Sequence, residues 1–286
     1  MKGESEEARR CFEKEAAILN TVKGHRNVSE FLRFGTEPYA IMMEQACFDF
    51  TPLGVPKQVN TLDFLHFVDA EFDFTLFSDV LVLCAKDIAT RLEYLHKNDI
   101  AHRDLKPGNT LVCNQHYSIQ NDMAKSYAEC PIVCKLAYFG LSQSPELQTS
   151  TFLKAKTEST CHGTPVYMAP EILLENLKFA GQENLKKADI WSLGIMMFSM
   201  ISPNLSNPYN AEFKVSGVPF SEKALIDSLR EQKMAGPDVK YKFFWTTQGW
   251  QIEDVFKLCA QFNPHSRPTV AEALRLLERN QPEASL

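Results

Sequence analysis

The sequence has no long apolar run, no long basic block, no internal repeat and no low-complexity tail. Its longest apolar stretch, Ile190–Ile201 (I-W-S-L-G-I-M-M-F-S-M-I), is too short to cross a bilayer core about 30 Å thick and is expected to form a buried helix. The formal net charge is −6. With no basic block to set against it, neither nucleic acid nor an anionic membrane surface is expected as the main partner. The charged start, Met1–Arg10, has no apolar segment, so no secretory signal is expected. The cysteines at 11, 47, 84, 113, 130, 134, 161 and 259 lack metal-ligand spacing. Cys130 and Cys134 come closest, but no second Cys/His pair accompanies them, which speaks against zinc. Free thiols in the cytoplasm or nucleus are the expected state.

What is present begins with enough apolar material, 44% of 286 residues, to bury a substantial core. Residues 4–23 have helical periodicity, with Ala8, Phe12, Glu15, Leu19 and Val22 on one face. Glu15 is a carboxylate in that apolar stripe: either an edge residue with its head group in water, or one that faces a cation across a cleft. Val28–Phe34 and Tyr39–Met43 read as strands around a Gly35–Pro38 turn. A loop over 48–60, a short helix over Thr61–Asp73 and a long helix follow. The long helix is marked by Phe77, Leu81, Cys84, Ile88, Leu92 and Leu95.

The long helix delivers the chain to Ile100–Leu111, I-A-H-R-D-L-K-P-G-N-T-L. Asp104 is a candidate base, with a cation at Lys106 and a carboxamide at Asn109, and Pro107 and Gly108 force the turn between them. Further on stand Tyr138-Phe139-Gly140, then G-T-P-V-Y-M-A-P-E over Gly163–Glu171. Asp189-Ile190-Trp191-Ser192-Leu193-Gly194 comes next, and finally Arg267-Pro268 before a Thr269-x-x-Glu272 capping box.

These segments, in this order, resemble the eukaryotic protein kinases of the serine/threonine type. The resemblance implies an α+β, protein-kinase-like two-lobe fold with an incomplete N-lobe over 1–44, a mainly helical C-lobe over 45–280 and a tail over 281–286. It implies transfer of phosphate from ATP, with Mg2+, to a protein substrate. On that match Asp104 is the catalytic base, Lys106 and Thr164 aid transfer, and Asn109 is a metal ligand. Glu15 takes the place of the glutamate on the first helix that faces a lysine. Met43 is the gatekeeper, Glu44 and Ala46 meet the adenine through main chain, and Leu111 lines the nucleotide site. Asp189 anchors the catalytic-loop backbone, and Arg267 pairs with Glu171.

The chain departs from the family pattern at three points. Tyr138 stands where the family carries the aspartate of Asp-Phe-Gly, and a bulky phenol is a poor substitute for a hard anionic magnesium ligand. The 14 residues before Glu15 contain neither a glycine-rich loop nor a lysine that follows a strand. The polar stretch Asn114–Glu129 is an insertion where the family makes a tight hairpin. The hydroxyls at Ser142, Ser144, Thr149, Ser150, Thr151, Thr157, Ser159 and Thr160 mark either a solvated loop or a phosphorylated one that pairs with Arg103. The expected function is therefore a kinase-like domain impaired in transfer. The alternatives are a pseudokinase acting as a protein-interaction or allosteric module, or a fragment of an active kinase.

Overall fold

The computed structural model of the chain describes residues 2–49, 59–71, 78–118, 125, 130–145, 163–174, 181–201, 209, 213, 216–231 and 249–278. Helix α1 spans Lys2–Val22. Ala16, Leu19 and Val22 recur at steps of three, and with Ile18 they bury one face. Phe12, nearer the open end, is only half-buried and packs its ring on Phe34 and Tyr39, with centroids 6.3 and 5.2 Å away.

Strands β1 (Phe31–Thr36) and β2 (Tyr39–Met43) pair antiparallel, Phe31 opposite Met43 and Thr36 opposite Tyr39. The first strand starts later than the expected Val28 because that residue has another partner. Val28 forms a parallel bridge with Leu136, whose N–H donates to the Asn27 carbonyl at 3.1 Å. The Asn27 carboxamide adds a bond to the Cys134 carbonyl at 2.9 Å. The N-terminal section is thus stitched to a distant strand by main-chain bonds.

Helix α2 covers Thr61–Glu71 and α3 covers Ser78–Lys97. Leu81, Cys84, Ile88, Leu92 and Leu95 are buried, as their spacing requires; Phe77 lies outside the described residues. Strands β3 (Thr110–Cys113) and β4 (Val133–Leu136) form a second antiparallel pair, Thr110 opposite Leu136. Most of the expected insertion between them lies outside the described residues. A short helix α4 (Pro170–Leu173) precedes α5 (Gln182–Ile201), which is buried at every position from Asp189 to Ile201. No helix among the described residues is long and apolar enough to cross a membrane.

Helices α6 (Glu222–Arg230), α7 (Gly249–Cys259) and α8 (Val270–Glu278) complete the helical part, with α7 lying across α5 and α8 against α3. The crossing of α5 and α7 is close at Gly194, where a Cβ would stand 2.9 Å from both the Ala260 nitrogen and the Cys259 Cβ. The capping box is made: the Thr269 N–H donates to Glu272 Oε2 at 2.7 Å, and the Glu272 N–H donates to Thr269 Oγ1 at 3.3 Å. Mainly helical, with two small two-stranded sheets among the described residues, the fold is α+β.

Candidate active site

The loop that carries Asp104 is fixed from below. Asp189, buried on α5, accepts the His102 and Arg103 N–H groups, both at 2.8 Å, and meets His96 Nε2 at 3.0 Å. From the side, Ala101 and Gln143 exchange two backbone hydrogen bonds of 2.9 Å. This clamp holds Arg103 at a φ of 68°, a left-handed conformation that costs a non-glycine residue about 1 kcal/mol or more. His102 is fully buried. Its Nδ1 accepts the Asp104 N–H at 3.3 Å, which leaves Nε2 to donate to the Ala137 carbonyl at 3.2 Å. Burial depresses its pKa, in keeping with this neutral tautomer.

Above the clamp, four expected site residues meet. Asp104 Oδ2 accepts from Asn109 Nδ2 at 2.7 Å and lies 3.0 Å from Lys106 Nζ. Asp104 Oδ1 accepts the Thr164 N–H at 3.1 Å and its hydroxyl at 3.2 Å, while Thr164 Oγ1 accepts from Lys106 Nζ at 2.6 Å. The approach of the Thr164 segment depends on Gly163. Its φ is +126°, and a Cβ there would lie 3.0 Å from the Arg103 carbonyl and 3.3 Å from Asp104 Oδ1. The result is a carboxylate with four donors around it, in reach of an incoming hydroxyl.

Across the cleft, the Ala137 N–H donates to the Asn109 carbonyl at 3.0 Å, and the chain turns at Tyr138, whose φ is 62°. Tyr138 is 57% exposed, while Phe139 beside it is fully buried, its ring centroid 5.3 Å from that of His102. Glu15 projects from α1 to this point, and its Oε1 accepts the Phe139 N–H at 3.1 Å. Burial raises the Glu15 pKa, and the Phe139 N–H partly offsets the rise. Glu15 matches neither of the two readings open for it: it turns inward from water, but the group it meets is a backbone amide and not a cation.

The remaining expected positions gather at β2 and β3. Met43 packs against the main core. Ala46 and Leu111 share a small apolar cluster with Cys113 and Val133. Glu44 uses its side chain as well as its main chain: its carboxylate is ion-paired with Lys135 and accepts the Glu30 N–H at 2.9 Å.

These residues do not fit a magnesium ion well. Magnesium requires near-octahedral hard oxygen, usually from one or two carboxylates. Tyr138 supplies none, both Asp104 oxygens are engaged, and Asn109 contributes only its carboxamide oxygen. Among the described residues no group of three His, Cys, Asp or Glu side chains converges.

Two features differ from the sequence-based expectation. Ser142 and Ser144 belong to neither a solvated nor a phosphorylated loop: both are buried, and Ser142 Oγ donates to the His102 carbonyl at 3.2 Å. The other hydroxyls of that stretch lie outside the described residues. The second is Arg91, fully buried on α3 beneath Phe139. Helical spacing could have found it, since 84, 88, 91 and 95 follow steps of four, three and four.

The expected latch at the far end is present. Arg267 holds Glu171 through two bonds of 2.6 and 2.7 Å, with its guanidinium carbon 5.2 Å from the Trp191 ring centroid.

An aspartate loop anchored on a buried helix, a threonine segment docked on it and a closing Glu–Arg latch together define a protein-kinase-like domain. The protein kinase domain family model matches residues 1–276, and the chain belongs to the eukaryotic protein kinase family. Serine/threonine-protein kinase 33 of Bos taurus is 27% identical over 265 residues, covering 93% of this chain and 45% of that protein. Mitogen-activated protein kinase kinase kinase mom-4 of Caenorhabditis briggsae is 30% identical over 189 residues, covering 66% of this chain and 26% of the relative. Serine/threonine-protein kinase unc-51 of Caenorhabditis elegans is 35% identical over 165 residues, covering 57% and 16%. The chain spans less than half the length of these curated relatives.

Proposed function

We propose that this chain is a serine/threonine-type kinase domain in which phosphoryl transfer is impaired. Asp104 is the base that takes the proton of a substrate hydroxyl. Lys106 and Thr164 hold its carboxylate in place, and Asn109 fixes the loop by bonding the Asp104 carbonyl at 2.8 Å. Nucleotide would lie against Leu111 and the main chain at Glu44 and Ala46. ATP would supply the transferred phosphoryl group; the protein's part is to hold and neutralise it, and that part is what is reduced here. The observation that carries the reading is Tyr138, an exposed phenol where the family resemblance implies a metal ligand. Phosphoryl transfer depends almost wholly on positioning and charge stabilisation, so the rate should fall by orders of magnitude.

A protein segment bearing serine or threonine is the proposed partner. The buried thiols at Cys84, Cys134 and Cys259 are unpaired, which supports a reducing compartment, cytoplasm or nucleus. Nucleotide binding is tested by thermal shift. ATP should raise Tm to a similar extent with and without magnesium. A large magnesium-dependent shift abolished by Asn109→Ala would show that the metal site works.

A second reading, a non-catalytic interaction module, is favoured by the β1–β2 sheet, where Leu32, Phe34, Tyr39 and Met42 all stand exposed.

A further inference from the structure

Phe139 is bracketed by a half-buried carboxylate and a fully buried cation that act on it in opposite directions. On one side, Glu15 accepts its N–H at 3.1 Å. On the other lies the guanidinium of Arg91, its central carbon 5.7 Å from the Phe139 ring centroid and 4.8 Å from that of Tyr94. Arg91 is fully buried, and Nε, Nη1 and Nη2 have no hydrogen-bond acceptor among the described residues. A guanidinium carries five N–H donors that water satisfies in the unfolded chain. Two aromatic faces return part of that loss, but the Phe139 face is near the outer limit of useful cation–π distance. A buried cation without an acceptor is strongly unfavourable. Desolvation accordingly lowers the Arg91 pKa to about 9. Beyond the Tyr94 ring, the His25 ring lies 4.5 Å from that of Tyr94, and the charge on Arg91 adds to burial in depressing the His25 pKa.

We infer that Arg91 is a spring under Phe139, which makes the seated position of that ring poised and not locked. With the ring seated, water is kept from the guanidinium; with the ring withdrawn, the guanidinium regains it. Glu15 opposes this by holding the Phe139 backbone. The segment that would move, from Ala137 to Leu141, has no regular structure, and Tyr138 within it is already at a left-handed φ. The device does not depend on whether the domain transfers phosphate, since it concerns where Phe139 rests.

The test is amide exchange of residues 137–141 together with Tm, on the full 286-residue chain. Arg91→Met keeps the bulk and removes the charge. It should slow exchange at Phe139 roughly tenfold or more and raise Tm by about 2 °C or more. Arg91→Lys, which keeps a buried cation, should leave exchange near the unaltered protein's rate. Glu15→Ala should speed it. An Arg91→Met chain that melts lower or fails to fold would overturn the inference, because the guanidinium would then be holding the seat. So would a higher Tm with unchanged exchange at Phe139.

Discussion

At Gly163 the chain passes so close to the Asp104 loop that the space of one methyl group decides whether Thr164 can dock. Gly163→Ala should destabilise the domain by about 1–3 kcal/mol, through its φ of +126° and the 3.0 Å approach to the Arg103 carbonyl. Thermal melting measures this, and an unchanged Tm would mean that the segment docks without that approach. The histidines give a pH dependence. Burial, the larger cause in each case, lowers the pKa of His102 and of His25 below their ordinary value of 6.5. The unfolded chain therefore binds protons first as pH falls. Stability from these groups is complete above about 6.5 and is lost as pH falls through the folded-state values. Melting from pH 8 to 5 should show a falling Tm, flattened in His102→Gln if that variant folds as before. The residues around Asp104 were readable because they are contiguous and their chemistry is distinctive. Arg91 was passed over because Leu92 completes an equally good apolar stripe, although the spacing of 91 from Cys84, Ile88 and Leu95 sets it on the same buried face.

The elements are joined at a few points where one helix supplies what another segment needs. Asp189 on α5 is the strongest: three groups from α3 and the catalytic loop converge on it. Asp189→Ala strands two buried N–H groups and should cost about 3–5 kcal/mol by loss of a buried charged partner. Chemical denaturation should report that loss together with faster amide exchange at 102 and 103. Gly194 is the other. Gly194→Ala forces α5 from α7 and should cost about 1–3 kcal/mol, or several degrees of Tm. Periodicity made α3 legible, the unbroken apolar run of 190–201 made α5 legible, and the Thr269-x-x-Glu272 pattern gave the capping box of α8 correctly. Local pattern misplaced the start of β1, because Val28 is a good strand residue whose partner, Leu136, lies far away in the sequence. The burial of Ser142 and Ser144 was likewise hidden, since composition describes a hydroxyl as polar and not as bonded to the back of a histidine loop.

At the scale of the whole molecule, the described helical part assembles the supports that the family resemblance implies, while the section around Glu15 and Tyr138 is uneven. The loop, its anchor, the threonine segment and the Glu171–Arg267 latch are all assembled. Glu15 turns inward onto a backbone amide, and Tyr138 puts an exposed phenol, not a carboxylate, beside Phe139. On the proposed function, Asp104 is a prepared base, and the described residues around it hold no converging carboxylates for a metal. Transfer of phosphate from ATP to a serine/threonine peptide, with magnesium or manganese, tests this claim most directly in three proteins compared side by side. The unaltered chain should transfer no more than Asp104→Asn, and Tyr138→Asp should exceed both. Transfer by the unaltered chain well above the Asp104→Asn control would contradict the claim.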